Sequence, residues 1–202
     1  MNVIGIVGPV ACGKGVVVDY LIQKYGYVSF SLSSLVHDEL EKRGIAVFTR
    51  ATLQDIGDEL RKKEGDGVLA KRAIKKLKAE SLKLKAKSSK VQKIIIEGIR
   101  NPGEVEYLRT ITGFYLIAID AQREIRYHRL LKRGKPWDPT NWKAFLQVDK
   151  RDSGNGKLSN GQQVRACMKL ADLHLANNMD IEHFHEDIKN TLLTRRPLHT
   201  DR

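Results

Sequence analysis

The stretch Gly8-Pro9-Val10-Ala11-Cys12-Gly13-Lys14 decides the fold. It fits the pattern G-x-x-x-x-G-K in the context that pattern requires. An apolar run, Val3–Val7, precedes it, and Val16, Val17, Tyr20, Leu21 and Tyr25 follow at roughly helical spacing. A strand that passes through such a loop into a helix turns successive backbone N–H groups inward and forms an anion-binding nest, and the lysine adds a point charge for the β- and γ-phosphates of a nucleotide. The glycines are required because a side chain would block the phosphate or clash at positive φ. Gly8, Pro9, Val10, Ala11, Cys12, Gly13, Lys14, Gly15 and Val16 are therefore the expected ATP-binding residues. Gly15 stands where most such loops place a Ser or Thr on magnesium, and Val16 offers no hydroxyl either. Magnesium must then be held by phosphates, water and a carboxylate from elsewhere.

Outward from the loop the chain alternates strand and helix. Tyr27–Phe30, Val91–Ile96, Phe114–Ile119 and Leu173–Ala176 read as further strands, and the nearly unbroken apolar runs among them suit a parallel sheet buried on both faces. Between them the spacing predicts helices from Ser31 or Ser33 to Arg43, over Leu53–Glu64 with Thr52 as cap, from about Asp66 to Lys87, over Arg123–Lys132 and Trp142–Lys150, and two more near the C-terminus. Asn101-Pro102-Gly103 reads as a turn, Ser153–Gly161 as a polar loop and 195–202 as a flexible tail. The order implies one three-layer α/β domain, residues 1–194, around a five-stranded parallel sheet whose ligands lie at the strands' C-terminal ends.

At 202 residues the chain is long enough for one buried core, and its two cysteines, Cys12 and Cys167, supply neither a disulfide framework nor a four-cysteine zinc site. No window is apolar enough for a membrane span, and the start MNVIGIVG lacks a leader's pattern, so a cytoplasmic location is expected. The net charge of +12 points to an anionic partner. It is concentrated in two windows: Lys71–Lys93 carries ten basic residues against Glu80, and Arg123–Lys135 six against Glu124. The first is a lysine-clad helix with a narrow buried stripe of Ala70, Ile74, Leu77, Ser81 and Leu84, either a solvated face or a nucleic-acid contact. In the second, Arg126, Arg129 and Arg133 recur at spacings of three and four and share a helix face, where like charges repel unless an anion lies against them.

The Lys14-Gly15 pair resembles the loops of adenylate kinases. Ser31-Leu32-Ser33-Ser34-Leu35, Leu53-Gln54-Asp55-Ile56-Gly57-Asp58-Glu59-Leu60-Arg61, Glu97-Gly98-Ile99-Arg100-Asn101-Pro102-Gly103, Arg129 with Arg133, Asp149-Lys150-Arg151-Asp152 and Ala171-Asp172 follow in an order similar to the P-loop nucleoside monophosphate kinase superfamily. Within it the likeness is to adenylate kinase-related and deoxynucleotide monophosphate kinase-like proteins, including the kinase-like N-terminal domain of phage-defence deoxycytidylate deaminases. It runs from about Met1 to Asn178. The deaminase half has no counterpart, since His37-Asp38-Glu39 lacks a P-C-x-x-C partner.

The resemblance implies a P-loop kinase fold with an acceptor-binding helical insertion at about 31–66 and a short lid at about 133–152. It also implies ATP and Mg2+ as cofactors, and transfer of the γ-phosphate to a nucleoside or deoxynucleoside monophosphate. Glu97, at a strand end beside the loop, would hold magnesium through water where these families usually carry Asp; the alternative is that it caps the next element. Arg100 looks like the arginine that grips the acceptor's phosphate, a task suited to a guanidinium fork. Arg129 and Arg133 resemble the base of a lid over ATP, with Arg151 joining them, and with Lys14 and Arg100 they complete the expected catalytic set. Ser31, Ser33, Arg50, Gln54 and Arg61 flank the insertion and are expected, with Arg100, to bind the acceptor, although helix capping explains the serines as well. Dephospho-CoA kinase is the nearest alternative, and a non-catalytic nucleotide-dependent nucleic-acid-binding or regulatory module is a second. His183-x-His185 has no third ligand nearby.

Overall fold

A computed structural model describes residues 2–84, 93–154 and 160–194. In chain order these form β1 (Asn2–Val7), α1 (Lys14–Tyr25), β2 (Val28–Ser31), α2 (Leu32–Lys42), α3 (Arg50–Glu64), α4 (Val68–Leu84), β3 (Lys93–Glu97), α5 (Pro102–Arg109), β4 (Tyr115–Asp120), α6 (Arg123–Arg133), α7 (Trp142–Asp152), α8 (Val164–Lys169), β5 (Leu173–Ala176) and α9 (Ile181–Thr194). The five strands make one sheet in the order β2-β3-β1-β4-β5, with every neighbouring pair parallel.

Alternation along the strands builds two apolar layers. Val3, Val7, Ile94, Ile96, Leu116 and Ala118 face α2, α3, α4, α5 and α8, while Ile4, Ile6, Ile95, Ile117 and Ile119 face α1 and α9. Gly5 lets the helices and strand β4 close on the central strand, since a Cβ there would lie 2.7 Å from the Phe114 ring. A third, smaller cluster ties Val10 of the first loop to Leu130 of α6 and Phe145 of α7. All five strands therefore deliver their C-terminal ends to one edge, where β1 passes into the glycine loop and β3 ends in Glu97 beside Ile6 of β1 and Ser31 of β2.

Two elements depart from the sequence expectation. Helix α3 starts one turn early, because Thr49 and not Thr52 is its cap: the Thr49 side chain accepts from the Thr52 amide at 3.3 Å and the Thr52 hydroxyl accepts from the Thr49 amide at 3.2 Å. Asn101-Pro102-Gly103 is not only a turn but the start of α5, with the Asn101 side chain accepting from the Gly103 amide, Glu104 reaching back to the Asn101 amide, and Pro102 in the first turn. On α4 the buried stripe is Ala70, Ala73, Ile74 and Leu77. That helix starts at Val68 against an expected start at about Asp66; its expected C-terminal end at Lys87, part of the Ser153–Gly161 loop and the 195–202 tail lie outside the described residues.

Candidate active site

The glycine loop closes on itself by backbone bonds and is braced from outside through its carbonyls. Val16 N–H donates to Gly13 O at 3.1 Å, Asn177 Nδ2 to Cys12 O at 3.0 Å and Arg126 Nη1 to Val10 O at 3.2 Å. Among the described residues the backbone N–H groups of Gly13, Lys14 and Gly15, at the start of α1, donate to no protein acceptor. Two glycines are sterically fixed here. A Cβ on Gly8 would sit 2.1 Å from the Ile119 carbonyl oxygen, and Gly13, at φ 99°, would place one 2.0 Å from Asn177 Nδ2. Gly15 has open space around its Cα, so packing does not explain why no hydroxyl residue stands there.

Lys14 Nζ folds back on the loop, donating to Gly8 O and Pro9 O at 2.8 Å each. Its ammonium lies beside the N–H nest, and among the described residues no carboxylate pairs with it. Burial pushes the Cys12 thiol above its ordinary value despite Lys14, so the sulfur stays protonated. Glu97 is half-buried at the end of β3, and among the described residues its carboxylate makes no ion pair or hydrogen bond.

Beside the loop, at the ends of β2 and β3, lies a narrow cleft of about 30 Å³, room for about two water molecules. Ser33, Arg50, Gln54, Arg61 and Arg100 line it together with Val36, Leu53, Gly57, Leu69, Gly98 and Gln162. Five of the six residues expected to bind an acceptor thus share one cavity, and the sixth, Ser31, is hydrogen-bonded to Ser33 at 2.9 Å. Gln54 donates to Gln162 at 3.1 Å, and Gln163 N–H to Arg100 O at 2.6 Å, so the segment before α8 forms one wall.

Each arginine of the expected site is engaged by other groups of the chain, Asp149 and Asp152 of the Asp149–Asp152 run among them. Arg100 pairs with Asp152, whose second oxygen is buried without a partner. Arg61 is buried on Glu104, Nη2 at 2.8 Å, and that carboxylate also accepts from the Arg100 amide at 2.7 Å. Arg50 and Arg133 meet on Asp138, at 2.5 and 2.6 Å. Arg151 reaches Asp55 at 2.7 Å and Asp58 at 2.8 Å on α3. Arg129 donates to Asn177, both to its backbone oxygen at 3.0 Å and to its side chain at 3.1 Å.

Arg126, Arg129 and Arg133 therefore do not present a common charged face to one anion. Arg126 is buried and forks onto Asp149 at 2.5 and 3.0 Å, and the three guanidiniums are separated by Asp149, Asn177 and Asp138. Burial alone would raise the Asp149 carboxyl, but the hydrogen bonds and charges of Arg126 and Arg123 outweigh it and hold it below its ordinary value. Burial lowers the Arg50 guanidinium against the pull of Asp138. His183 contacts Asp180, 2.7 Å from Nδ1 to Oδ1, and Phe184 is core. Among the described residues no group of three His, Cys, Asp or Glu side chains could hold a metal, and no helix is long and apolar enough to cross a membrane.

A five-stranded parallel sheet in this order, with a glycine loop leading from its central strand into α1, defines the P-loop kinase fold. Solved structures agree on the fold: shikimate kinase from Acinetobacter baumannii in complex with shikimate superposes with a TM-score of 0.54 at 14% identity, over 97% of this chain and 96% of that one. The TT1252 protein of Thermus thermophilus gives 0.50 at 17% identity, over 96% and 97%. A family model described as an AAA domain matches residues 4–141. The UPF0200 protein of Pyrococcus horikoshii is 30% identical over 193 residues, 94% of this chain and 95% of its own length, and that of Methanocaldococcus jannaschii 31% identical over 195 residues, 95% and 89%. The chain belongs to the UPF0200 family.

Proposed function

We propose that this protein is an ATP-dependent phosphotransferase that moves the γ-phosphate of ATP to a nucleoside or deoxynucleoside monophosphate. The observation that carries the reading is the adjacency of two anion-binding places at one sheet edge. One is the nest of unpaired N–H groups at Gly13, Lys14 and Gly15; the other is the cleft into which Arg50 and Arg100 project. Phosphoryl transfer asks mainly for positioning and charge neutralisation, and this chain offers backbone amides and guanidiniums rather than a strong base.

In this reading the nest and Lys14 hold the β- and γ-phosphates, while Arg100 and Arg50 hold the acceptor's phosphate. An oxygen of that phosphate attacks the γ-phosphorus, the bond to the bridging oxygen breaks, and ADP leaves. Residues 133–152 act as the lid and 31–66 as the acceptor-binding insertion. Arg129 orients the loop after β5 through Asn177, and Arg133 and Arg151 reach the phosphates once they leave their carboxylates. Glu97, unpaired at the end of β3, suits a magnesium ion bound through water, and Gly15 leaves no hydroxyl to replace it. Such an ion would neutralise charge on the phosphate oxygens.

The test is ADP release over a panel of ribo- and deoxynucleoside monophosphates plus dephospho-CoA. Acceptor-dependent release with a monophosphate supports the proposal. Release with dephospho-CoA alone replaces the acceptor class, and none with any acceptor favours a nucleotide-dependent regulatory module.

A further inference from the structure

Asp138 lies in the turn between α6 and α7, its side chain 3% exposed, and binds two arginines from different elements: Arg50 at the start of α3 through Oδ1 and Arg133 at the end of α6 through Oδ2. Around this carboxylate the turn is fastened to the α2–α3 connection. Arg50 N–H donates to Trp137 O at 2.9 Å, and the Trp137 ring stacks on Phe48 with centroids 5.3 Å apart. Arg50 nevertheless faces the cleft, and its Nε is buried without a partner. A guanidinium with one buried donor unsatisfied gains a full fork if a phosphate replaces the single carboxylate oxygen.

We propose that Asp138 is a positioning residue that latches the α6–α7 turn to α3, and that a phosphate entering the cleft opens the latch by taking Arg50. Arg133 then keeps Asp138 to itself or leaves it for a second phosphate, and the Trp137–Phe48 stack is released. The latch explains why the cleft is too small for a nucleotide as it stands: α3 is tied to the turn that would have to move. The proposal rests on the cleft being the acceptor's phosphate site.

The test uses the full chain in a Trp142→Phe background, which leaves Trp137 as the sole tryptophan and keeps an aromatic ring against Tyr127 and Phe145. Inorganic phosphate is titrated while Trp137 fluorescence is read. Phosphate should shift the emission. Asp138→Asn should show the shifted emission without phosphate and bind phosphate roughly tenfold more tightly, the factor expected if the unlatched form is about a tenth of the free protein. Asp138→Glu should restore the original behaviour. Emission and phosphate affinity that ignore Asp138→Asn would overturn the proposal. Should that variant not fold, hydrogen exchange in the parent chain decides. Phosphate should speed exchange of the Arg50 amide that donates to Trp137, and unchanged or slower exchange would overturn the latch. Failure of the kinase reading shows separately, as a working phosphate response with no transfer to any acceptor.

Discussion

Asn177, the residue after β5, and Cys12, in the loop after β1, are joined by a hydrogen bond of 3.0 Å from side-chain amide to backbone carbonyl, although they stand 165 residues apart. Asn177 also accepts from Arg129, and its amide fills the space that a Cβ on Gly13 would need. One buried side chain thus fixes the back of the phosphate loop, the position of an arginine and the identity of a glycine.

Asn177→Ala leaves the buried Cys12 carbonyl and part of the half-buried Arg129 guanidinium unpaired. It should lower stability by about 1–3 kcal/mol and weaken ATP binding, read by thermal melting and calorimetric titration. Gly13→Ala meets both the positive φ and the Asn177 amide, so it should lose nucleotide binding more completely. Parent-like ATP affinity in Asn177→Ala would remove its bracing role.

Gly15→Ser should fold normally, because nothing lies within 4 Å of the added Cβ, and should gain about 0.5 kcal/mol from helix propensity. If Glu97 and water hold magnesium in place of a hydroxyl, the serine should lower the magnesium concentration that half-saturates turnover. An unchanged magnesium dependence would show that the position does not face the ion.

Asp149→Asn strands the buried charge of Arg126 and should cost about 3–5 kcal/mol. The sign of its pH dependence follows from the lowered carboxyl. The pair's contribution is complete above the ordinary value of 3.8 and is lost as pH falls through the lower folded value. The gap in melting temperature between parent and variant should therefore hold at neutral pH and narrow only on strong acidification. A gap that narrows near neutrality would contradict this.

Lys75→Glu with Lys78→Glu tests whether the basic α4 face takes part. Both lysines are exposed and make no ion pair among the described residues, whereas Arg72 pairs with Glu64 and Lys76 with Asp38. The double variant should leave ATP turnover unchanged and shift stability by no more than about 0.5 kcal/mol. A large loss of turnover would tie the lysines to the site.

What could be read in advance was local. The strands, the glycine loop and the helix after it are written in short apolar runs and in two glycines, Gly8 and Gly13, that leave no room for a side chain. Helix α5 was equally local, since Asn101 and Glu104 spell its cap, but the Pro-Gly pair draws the eye to a turn. The cleft could be assembled because its residues sit at strand and helix ends. The partners of the arginines could not be: Asp138 lies 88 residues from Arg50, Asp58 lies 93 from Arg151 and Glu104 lies 43 from Arg61, and no spacing announces which carboxylate a folded chain will bring to which guanidinium. The net charge of +12 persists, but the fold pairs Arg50, Arg61, Arg100, Arg126, Arg133 and Arg151 with carboxylates. A phosphate that enters the cleft must therefore compete with carboxylates already in place on Arg50 and Arg100.

The central claim is that the loop and Lys14 carry a transferable phosphate. Steady-state ADP release by Lys14→Ala, compared with the parent chain at saturating ATP and the best acceptor of the panel, tests it directly. The expected result is a fall of at least about a hundredfold with an unchanged melting temperature. Parent-like turnover in that variant would contradict it.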